Sequence, residues 1–347
     1  MSGGETPGID APAVERWLAG AAPEVATPVT FALVSGGRSN LTYEMTAADG
    51  TRYALRRPPL GGVLSTAHDM SREWRFISAL HPTRVPVPEP VAYCDDTDVI
   101  GASFYVMGFV DGQVLAGPEE GAALAYEARG TAAGQVADVL AELHAVDVDA
   151  VGLGDIGRRT GYIERQLRRW HKQVHASGAP DLDLLDRVHE LLAAQAPDGD
   201  VPGGIVHGDY RPGNMSFAPD GRILAIFDWE LATLGDPLAD LGWLVATWER
   251  PGDRFPPATP GPSVADGFPD ADELVARYAR ASGRDVSRLP YYVAFSRWRS
   301  ACIGAGVYAR YKAGVMGDDG YAAEARADGV TRQGQAALET ISELGRA

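Results

Sequence analysis

Two aspartates and an asparagine are the residues of this sequence whose types and spacing could do chemistry. Asp209 and Asn214 lie five positions apart in the segment His-Gly-Asp-Tyr-Arg-Pro-Gly-Asn at 207–214, and Asp228 follows within Phe-Asp-Trp-Glu at 227–230. In magnesium-dependent phosphoryl transfer, one carboxylate orients the attacking hydroxyl, while an amide oxygen and a second carboxylate hold metal ions against nucleotide phosphates. The spacing therefore predicts phosphoryl transfer, with Asp209 as the catalytic residue and with Asn214 and Asp228 as ligands of Mg²⁺.

The flanking sequence predicts the elements that hold these side chains in place. An apolar strand at 205–206 precedes the segment, Pro212 and Gly213 turn the loop, and a second apolar strand at 223–227 leads to the second aspartate. Without this context, an aspartate and an asparagine five positions apart are typical of a turn built by their own side chains. The combination indicates a strand, a loop and a hairpin, in which we expect His207 to hold the loop by hydrogen bonds to nearby backbone.

The N-terminal third of the chain predicts an antiparallel sheet. Apolar alternation and turn signals such as Asp49-Gly50 are typical of strands joined by hairpins. The predicted strands lie at 28–34, 41–46, 51–56, 91–93 and 104–110. One helix at 9–19 precedes the sheet and a second, at 68–80, is inserted into it.

After a turn signal at Asp111-Gly112, the sequence pattern changes from one typical of strands to one typical of helices. Helices are predicted at 119–145, 162–175, 183–194, 240–248, 270–281, 290–311 and 321–344. Strands followed by helices imply two lobes of different class with a cleft at their joint. The fold class is thus α+β, with a nucleotide-binding lobe at 1–110 and a mainly helical lobe at 111–347 that carries the catalytic loop and the acceptor site.

The composition of the chain indicates which kinds of molecule we do not expect it to bind and where in the cell we expect it. The formal charge is −16, from 31 basic and 47 acidic residues, which argues against nucleic acid because that affinity depends on basic contacts to phosphates. Cys94 and Cys302 are far apart and have no metal-ligand spacing, which indicates a reducing, cytoplasmic location. The start of the chain lacks a secretory pattern, and no apolar stretch is long enough to span a bilayer, so we expect no membrane partner.

The two motifs together resemble the aminoglycoside phosphotransferase family, which has the protein-kinase-like bilobal fold and includes choline and homoserine kinases. In that family the loop runs His-Gly-Asp followed four residues later by Asn, and a segment like Phe-Asp-Trp-Glu replaces the kinase Asp-Phe-Gly. The resemblance extends from about Phe31 to Trp298. It implies ATP and Mg²⁺ as cofactors and a hydroxyl of a small molecule as the phosphoryl acceptor.

Two further segments resemble nucleotide-binding parts of that family. The Ser-Gly-Gly-Arg-Ser-Asn segment at 35–40 resembles the loop whose small residues let backbone amides approach phosphates. The segment at 105–110 resembles the hinge that pairs with adenine while apolar neighbours enclose the ring. The implied nucleotide-binding residues are Ser35, Gly36, Gly37, Ser39, Asn40, Met107 and Phe109.

The third strand lacks the lysine that kinases place there. Arg56 matches the position best, and its expected partner is Glu73 on the following helix; both are assigned to the nucleotide site. An arginine fork can hold a carboxylate and a phosphate but differs geometrically from lysine. The segments at 55–61 and 68–73 resemble the branch fused to some acyl-CoA dehydrogenases, in which arginine is usual and hydroxylated acyl substrates are implicated.

The acceptor and the activity itself are left open. Four basic residues on the helix at 290–311 or just after it suit an anionic acceptor such as a CoA thioester: Arg297, Arg299, Arg310 and Lys312. Aromatic residues on the same helix, among them Tyr291, Tyr292 and Trp298, are more typical of a core. An aminoglycoside kinase is an alternative, and the missing lysine leaves room for a nucleotide-binding pseudokinase. The oligomeric state is not fixed.

Two more aspartates follow the metal aspartate. Asp236 and Asp240 lie in the segment at 235–241, which in the resembled family is a structural anchor. Because Asp240 begins the predicted helix at 240–248, we expect it to cap that helix.

Overall fold

The computed structural model describes residues 6–35, 40–60, 69–178, 180–197, 203–314 and 323–345. Within these ranges, a five-stranded antiparallel sheet forms the N-terminal part and helices dominate the remainder. The predicted sheet and the α+β class are both confirmed.

The five strands of this sheet pair mainly with neighbours in the chain. They are β1 (Thr30–Ser35), β2 (Leu41–Thr46), β3 (Arg52–Arg57), β4 (Pro90–Cys94) and β5 (Phe104–Gly108), paired in the order β1-β2-β3-β5-β4. In β2, Leu41, Tyr43 and Met45 are buried while the intervening residues are half-buried, as the two-residue period of a strand requires. This face forms one apolar cluster with the buried side of α1 (Ala11–Ala21).

The other face of the sheet receives α2 (Met70–Leu80). Asp69 caps the N-terminus of this helix, and its carboxylate accepts hydrogen bonds from the amides of Ser71 and Arg72 at 3.0 and 3.2 Å. Such a cap typically stabilises a helix by about 1 kcal/mol. The apolar buried residues of α2 are Met70, Phe76, Ile77 and Leu80. Glu73 lies in this same stripe and is buried, so the helix points a carboxylate into the protein interior.

Helices build most of the C-terminal part. They are α3 (Pro118–Ala123), α4 (Tyr126–Ala145), α5 (Tyr162–Ser177), α6 (Leu182–Ala194), α7 (Leu238–Thr247), α8 (Ala271–Ser282), α9 (Leu289–Lys312) and α10 (Ala323–Leu344). The prediction of one continuous helix at 119–145 was wrong, because Leu124 and Ala125 have extended backbone. Leu124 is buried at this break, so packing of an apolar side chain overrides the helix propensity of an alanine-rich sequence.

The start of α7 also corrects a prediction. The helix begins at Leu238, two residues before the expected position, and Asp236 accepts the Leu238 amide at 3.0 Å. Asp240 therefore lies within the first turn and is not the capping residue. It is buried, and its carboxylate is directed toward another segment of the chain.

Short strands frame the catalytic segment. β6 (Gln113–Val114), β8 (Met215–Phe217) and β9 (Ile223–Ile226) form one sheet, and β7 (Gly204–Val206) pairs with β10 (Thr233–Gly235). The division of the chain into lobes at residues 110 and 111 remains a proposal. It is supported by the change of sheet there, since β5 belongs to the five-stranded sheet and β6 pairs with β8.

The aromatic residues in the first half of α9 are part of the core. Tyr291, Tyr292 and Trp298 are each at most 1% exposed, which confirms the interpretation of these residues as packing groups. Among the helices in the described ranges, none combines the length and apolar character that crossing a bilayer demands.

Candidate active site

His207 organises the loop that carries Asp209. Its Nε2 donates to the Phe227 carbonyl at 2.9 Å, and its Nδ1 accepts the Asp209 amide at 3.2 Å. One neutral tautomer satisfies both bonds. The predicted backbone hydrogen bonds of His207 are therefore present, and they connect the catalytic loop to the strand that precedes Asp228.

Asp240, on α7, holds the backbone of the same loop by hydrogen bonds. Its two carboxylate oxygens accept the amides of His207 and Gly208 at 2.6 and 2.8 Å. The His144 Nε2 lies 3.5 Å from the same carboxylate, and burial lowers the pKa of His144. Gly208 has φ of +86°, a conformation that costs glycine little and other residues more. A buried carboxylate bound by two amides thus fixes the backbone immediately before Asp209.

Hydrogen-bond donors orient the Asp209 carboxylate on both of its oxygens. Trp243 Nε1 donates to Oδ1 at 2.7 Å, and Asn214 Nδ2 donates to Oδ2 at 2.8 Å. The Asn214 amide nitrogen also bonds to the Asp209 carbonyl at 2.9 Å, which leaves its oxygen as the group that can face a cation. The structure therefore joins the predicted acid and amide directly. Trp243 was not predicted, because its role depends on how α7 packs against the loop.

Asp228 occupies a strained backbone position. Its φ is +66°, in the left-handed region that residues other than glycine rarely adopt, and such positions cost about 1–3 kcal/mol and cluster at functional sites. Trp229 holds the turn: it is fully buried, its indole donates to the Ile226 carbonyl, and its ring lies 5.9 Å from that of Phe76. The neighbouring core therefore stabilises the orientation of Asp228.

Arg56 connects Asp228 to Glu73. The Arg56 Nη2 lies 2.7 Å from Asp228 Oδ1, and its Nε lies 2.9 Å from Glu73 Oε2. Tyr105 and Asn40 donate to Glu73 at 2.9 and 2.5 Å. Burial raises the pKa of Glu73 and the Arg56 charge opposes this shift. The predicted pairing of Arg56 with Glu73 is thus observed, and Asn40 is placed against that glutamate.

This geometry explains why an arginine can stand at the position of the usual lysine. The guanidinium presents donors on several nitrogens in a fixed plane, whereas a lysine offers one ammonium. Arg56 uses two of its nitrogens for carboxylates on different elements, one on α2 and one after β9. A lysine ammonium at this position would have to meet both carboxylates with a single nitrogen.

Glu230 lies beside these residues, although it was not among the predicted site residues. Its carboxylate lies within 4.8 Å of those of Glu73 and Asp228, and its buried Oε2 has no hydrogen-bond partner among the described residues. Burial, followed by the nearby carboxylates, raises the pKa of Glu230 to about 7. Clustered carboxylate oxygens are typical ligands of hard divalent cations. The available signal was the acid two positions after Asp228.

The raised pKa gives a testable pH dependence for Glu230→Gln. The folded protein holds a proton there that the unfolded chain releases, so wild-type stability falls as pH rises from about 4.5 to about 7. The glutamine variant lacks this titration. Its free energy of unfolding relative to the wild type should therefore be higher at about pH 8 than at about pH 5. Urea unfolding at both pH values measures this difference.

An exposed glutamate provides the control for this experiment. Glu127 lies on the solvent side of α4, so Glu127→Gln should differ from the wild type by the same small amount at both pH values. An equal stability difference at both pH values for Glu230→Gln would contradict the assignment.

Two cavities adjoin the loop at 207–214, and Gly213 lines both. The larger, about 480 Å³, contains most of the predicted nucleotide and metal residues that are described: Asn40, Arg56, Met107, Phe109, Asn214 and Asp228. Glu73 is buried behind Arg56. Gly36, Gly37 and Ser39 lie outside the described residues, as does the side chain of Ser35.

The hinge segment is already hydrogen-bonded within the protein. The amide of Gly108 donates to the Glu89 carbonyl at 2.8 Å, and that of Phe109 donates to the Arg52 carbonyl at 3.2 Å. Pairing of an adenine edge with either amide therefore requires one of these bonds to open. The Phe109 ring faces the Arg52 guanidinium at 3.9 Å, so the lining of this cavity combines an aromatic face with a cation.

The second cavity, about 360 Å³, lies beside Asp209. Its walls are mostly apolar, with Leu231, Ala246, Ile303, Val307 and several prolines of the segment at 257–262 among the lining residues. Arg211 and Arg299 supply its positive charge. Arg299 is 6% exposed and donates to the Gly208 carbonyl at 2.5 Å.

The structure separates the four basic residues proposed for the acceptor. Arg299 lines the cavity beside Asp209. Arg310 and Lys312 are exposed in the last turn of α9. Arg297 lies 3.4 Å from Thr340 of α10. Of the four, Arg299 is therefore the one that lines the same cavity as Asp209.

The pairing of Arg56 on β3 with Glu73 on α2 and the joined side chains of Asp209 and Asn214 are typical of a kinase-like fold. The phosphotransferase enzyme family model matches residues 30–292, and the chain belongs to this family.

Relatives support both the family and the branch. The human acyl-CoA dehydrogenase family member 11 is 35% identical over 315 residues, which cover 87% of this chain and 39% of that protein. The chain thus spans about two fifths of the length of this curated relative. The branch predicted from the segments at 55–61 and 68–73 is confirmed.

Solved structures share the whole fold. A Ralstonia eutropha protein provisionally named an aminoglycoside phosphotransferase is 31% identical, with a TM-score of 0.82 over 96% of this chain and 98% of that one. The ADP-bound aminoglycoside phosphotransferase APH(2'')-Ib has a TM-score of 0.60 at 16% identity, over 96% of this chain and 99% of that one. The kinase-like fold is therefore confirmed.

Proposed function

We propose that this chain transfers the γ-phosphoryl group of ATP to a hydroxyl of a small molecule in a Mg²⁺-dependent reaction. One observation carries the proposal: Asp209 faces one cavity, Asn214 and Asp228 face the other, and the two cavities meet at Gly213. Such a loop lets an acceptor and a nucleotide approach each other from opposite sides, and phosphoryl transfer depends mainly on such positioning.

The residues have distinct proposed roles. Asp209 orients the acceptor hydroxyl and takes up its proton, because its carboxylate is fixed by Trp243 and Asn214. Arg56, held by Glu73, supports the nucleotide phosphates. The other proposed nucleotide residues are Asn40, Met107 and Phe109, with Ser35, Gly36, Gly37 and Ser39 on the preceding loop.

The residues beside the nucleotide cavity fit a magnesium ion. Asn214 and Asp228 would hold it, with Glu230 adjacent, because oxygen ligands suit this cation and the buried Glu230 Oε2 has no other described partner. When bound, Mg²⁺ neutralises developing phosphate charge. Arg56 currently pairs with Asp228 at 2.7 Å, so cation binding at Asp228 competes with this contact.

We propose an anionic acceptor with an apolar portion, such as a hydroxyacyl thioester. The cavity beside Asp209 has apolar walls and two arginines, and among its described lining residues Asp209 is the one acid. A polycationic aminoglycoside needs several carboxylates, which this lining does not offer. The kinship with acyl-CoA dehydrogenase family member 11 supports an acyl compound, and a cytoplasmic location remains a prediction.

An acceptor screen tests this proposal. The protein is incubated with Mg-ATP and either hydroxyacyl thioesters, their free hydroxy acids or aminoglycosides, and phosphorylated products are identified by mass spectrometry. We expect kcat/KM for a hydroxyacyl thioester to exceed that for any aminoglycoside by about 10-fold or more, since misplaced charge and lost apolar contact each cost selectivity.

The outcomes of the screen separate three functions. Preference for an aminoglycoside would support the antibiotic-kinase alternative. Mg-ATP binding without transfer to any acceptor would support the pseudokinase alternative, which is motivated by the absent strand lysine. Absence of nucleotide binding would contradict the kinase proposal itself.

A further inference from the structure

Three of the seven histidines in the chain converge where α5 and α6 pack together. His171 and His175 lie on α5 one turn apart, so their side chains share a face of that helix. Asp186 and His189 approach from α6. None of these residues lines the two cavities of the kinase site, and the proposed phosphoryl transfer makes no use of them.

The side-chain atoms of His171, His175 and Asp186 that could bind a metal lie close together. The Nε2 atoms of His171 and His175 lie 3.0 and 2.8 Å from the same oxygen of Asp186. All three ligand atoms lie within 4.8 Å of one another. In a tetrahedral zinc site, with bonds of about 2.0–2.1 Å, ligand atoms are roughly 3.3 Å apart. Small side-chain movements therefore suffice to surround an ion.

The rings of His189 and Trp298 pack on one side of this cluster, and its other side is accessible to solvent. The ring of His189 stacks on that of His171 at 4.1 Å with an interplanar angle of 22°, and the Trp298 ring lies 5.7 Å from His189. The side chains of His171, His175 and Asp186 are 35%, 44% and 35% exposed. An ion from solvent can thus reach three ligands whose orientation the core restricts.

We propose that His171, His175 and Asp186 form a binding site for a transition-metal dication, with Zn²⁺ as the best match. Two imidazoles and one carboxylate are a ligand set that suits zinc and leaves a fourth position for water. Imidazole ligands disfavour Mg²⁺, which prefers oxygen. His189 is a positioning residue that supports the ring of His171. A bound ion joins α5 to α6 and stabilises their packing.

Zinc uptake by the untagged full-length chain tests this proposal. Chelator-treated protein is titrated with ZnCl₂ by calorimetry in the presence of excess Mg²⁺, which occupies the carboxylates of the kinase site. We expect one equivalent of Zn²⁺ and a rise in Tm, because a ligand that binds the folded state alone stabilises it. His175→Gln and Asp186→Asn should each weaken binding by about 100-fold or more, beyond the effect of losing an outer-shell partner.

His81 supplies the matched control, since it is an exposed histidine outside the cluster. His81→Gln should bind Zn²⁺ as the wild type does, and all variants should keep the wild-type Tm without metal to within a few degrees. Uptake of less than one equivalent by the wild type would overturn the proposal. Unchanged Zn²⁺ affinity in both His175→Gln and Asp186→Asn would overturn it as well.

Discussion

Replacing Asp209 with alanine is expected to lower kcat by about 10²–10⁴-fold, the range that a positioned acid–base group supplies. Asp209 lines the proposed acceptor cavity, whereas most of the proposed nucleotide residues line the other cavity. Mg-ATP affinity should therefore change little. Steady-state kinetics with the acceptor found in the screen, together with calorimetric titration of Mg-ATP, measures both quantities.

The control for this variant is Asp220→Ala. Asp220 lies in the turn between β8 and β9, and its side chain is 58% exposed, so its removal should leave kcat within about 3-fold of the wild type, in line with the small effects of surface substitutions. Asp209→Ala also leaves the Trp243 indole without its acceptor, and circular dichroism establishes that the loop variant is folded. A folded Asp209→Ala protein with kcat within 10-fold of the wild type would show that another group performs the proton transfer.

The elements with strong local signals were predicted well. Alternating apolar residues and an Asp-Gly turn determine β2 and β3, and the structure places β2 at the expected residues, Leu41–Thr46. The failures occur where a single contact decides the end of an element. Leu124 ends α3 by packing into the core, and Asp236 starts α7 two residues early by accepting the Leu238 amide. Neither contact leaves a periodic trace in the sequence.

In the candidate site, too, the local contacts could be predicted from the sequence and the distant ones could not. The spacing of Asp209 and Asn214, taken together with the flanking strands, predicted that the two lie on one short loop, and their side chains are hydrogen-bonded there. Trp243 and Arg299 were not assigned to the loop, since they reach it from helices that are distant in sequence. The link between Arg56 and Asp228 spans 172 positions. Such contacts depend on how the two parts of the chain pack.

Arg56 shows how a departure from the kinase pattern can be compatible with activity. Its guanidinium bridges Glu73 on α2 and Asp228 after β9. One side chain on β3 therefore connects the five-stranded sheet, α2 and the segment that carries Asp228. The absent lysine is therefore weak support for a pseudokinase, because the cation it would supply is present. A bridge of this kind also makes the arginine important for stability before any nucleotide binds.

Arg56→Met is expected to lower the free energy of unfolding by about 3–5 kcal/mol at neutral pH, the cost of leaving a buried charge without its partner. The Glu73 side chain is 1% exposed and that of Arg56 is 11% exposed, so water cannot replace the lost cation. Asp228 lies close to Glu73, and its charge adds repulsion once the guanidinium is gone. Urea unfolding measures the change.

Two companion variants make this prediction specific to the buried pair. Arg56→Met combined with Glu73→Gln removes both charges, so it should recover part of the lost stability. Arg84→Met removes an arginine that is 84% exposed and paired with Glu142 at 3.3 Å, and surface pairs of this kind contribute about 0–1 kcal/mol. If Arg56→Met were no less stable than Arg84→Met, the bridge to Glu73 would have no energetic role, and the fixed orientation of Asp228 would have to come from the buried Trp229 turn alone.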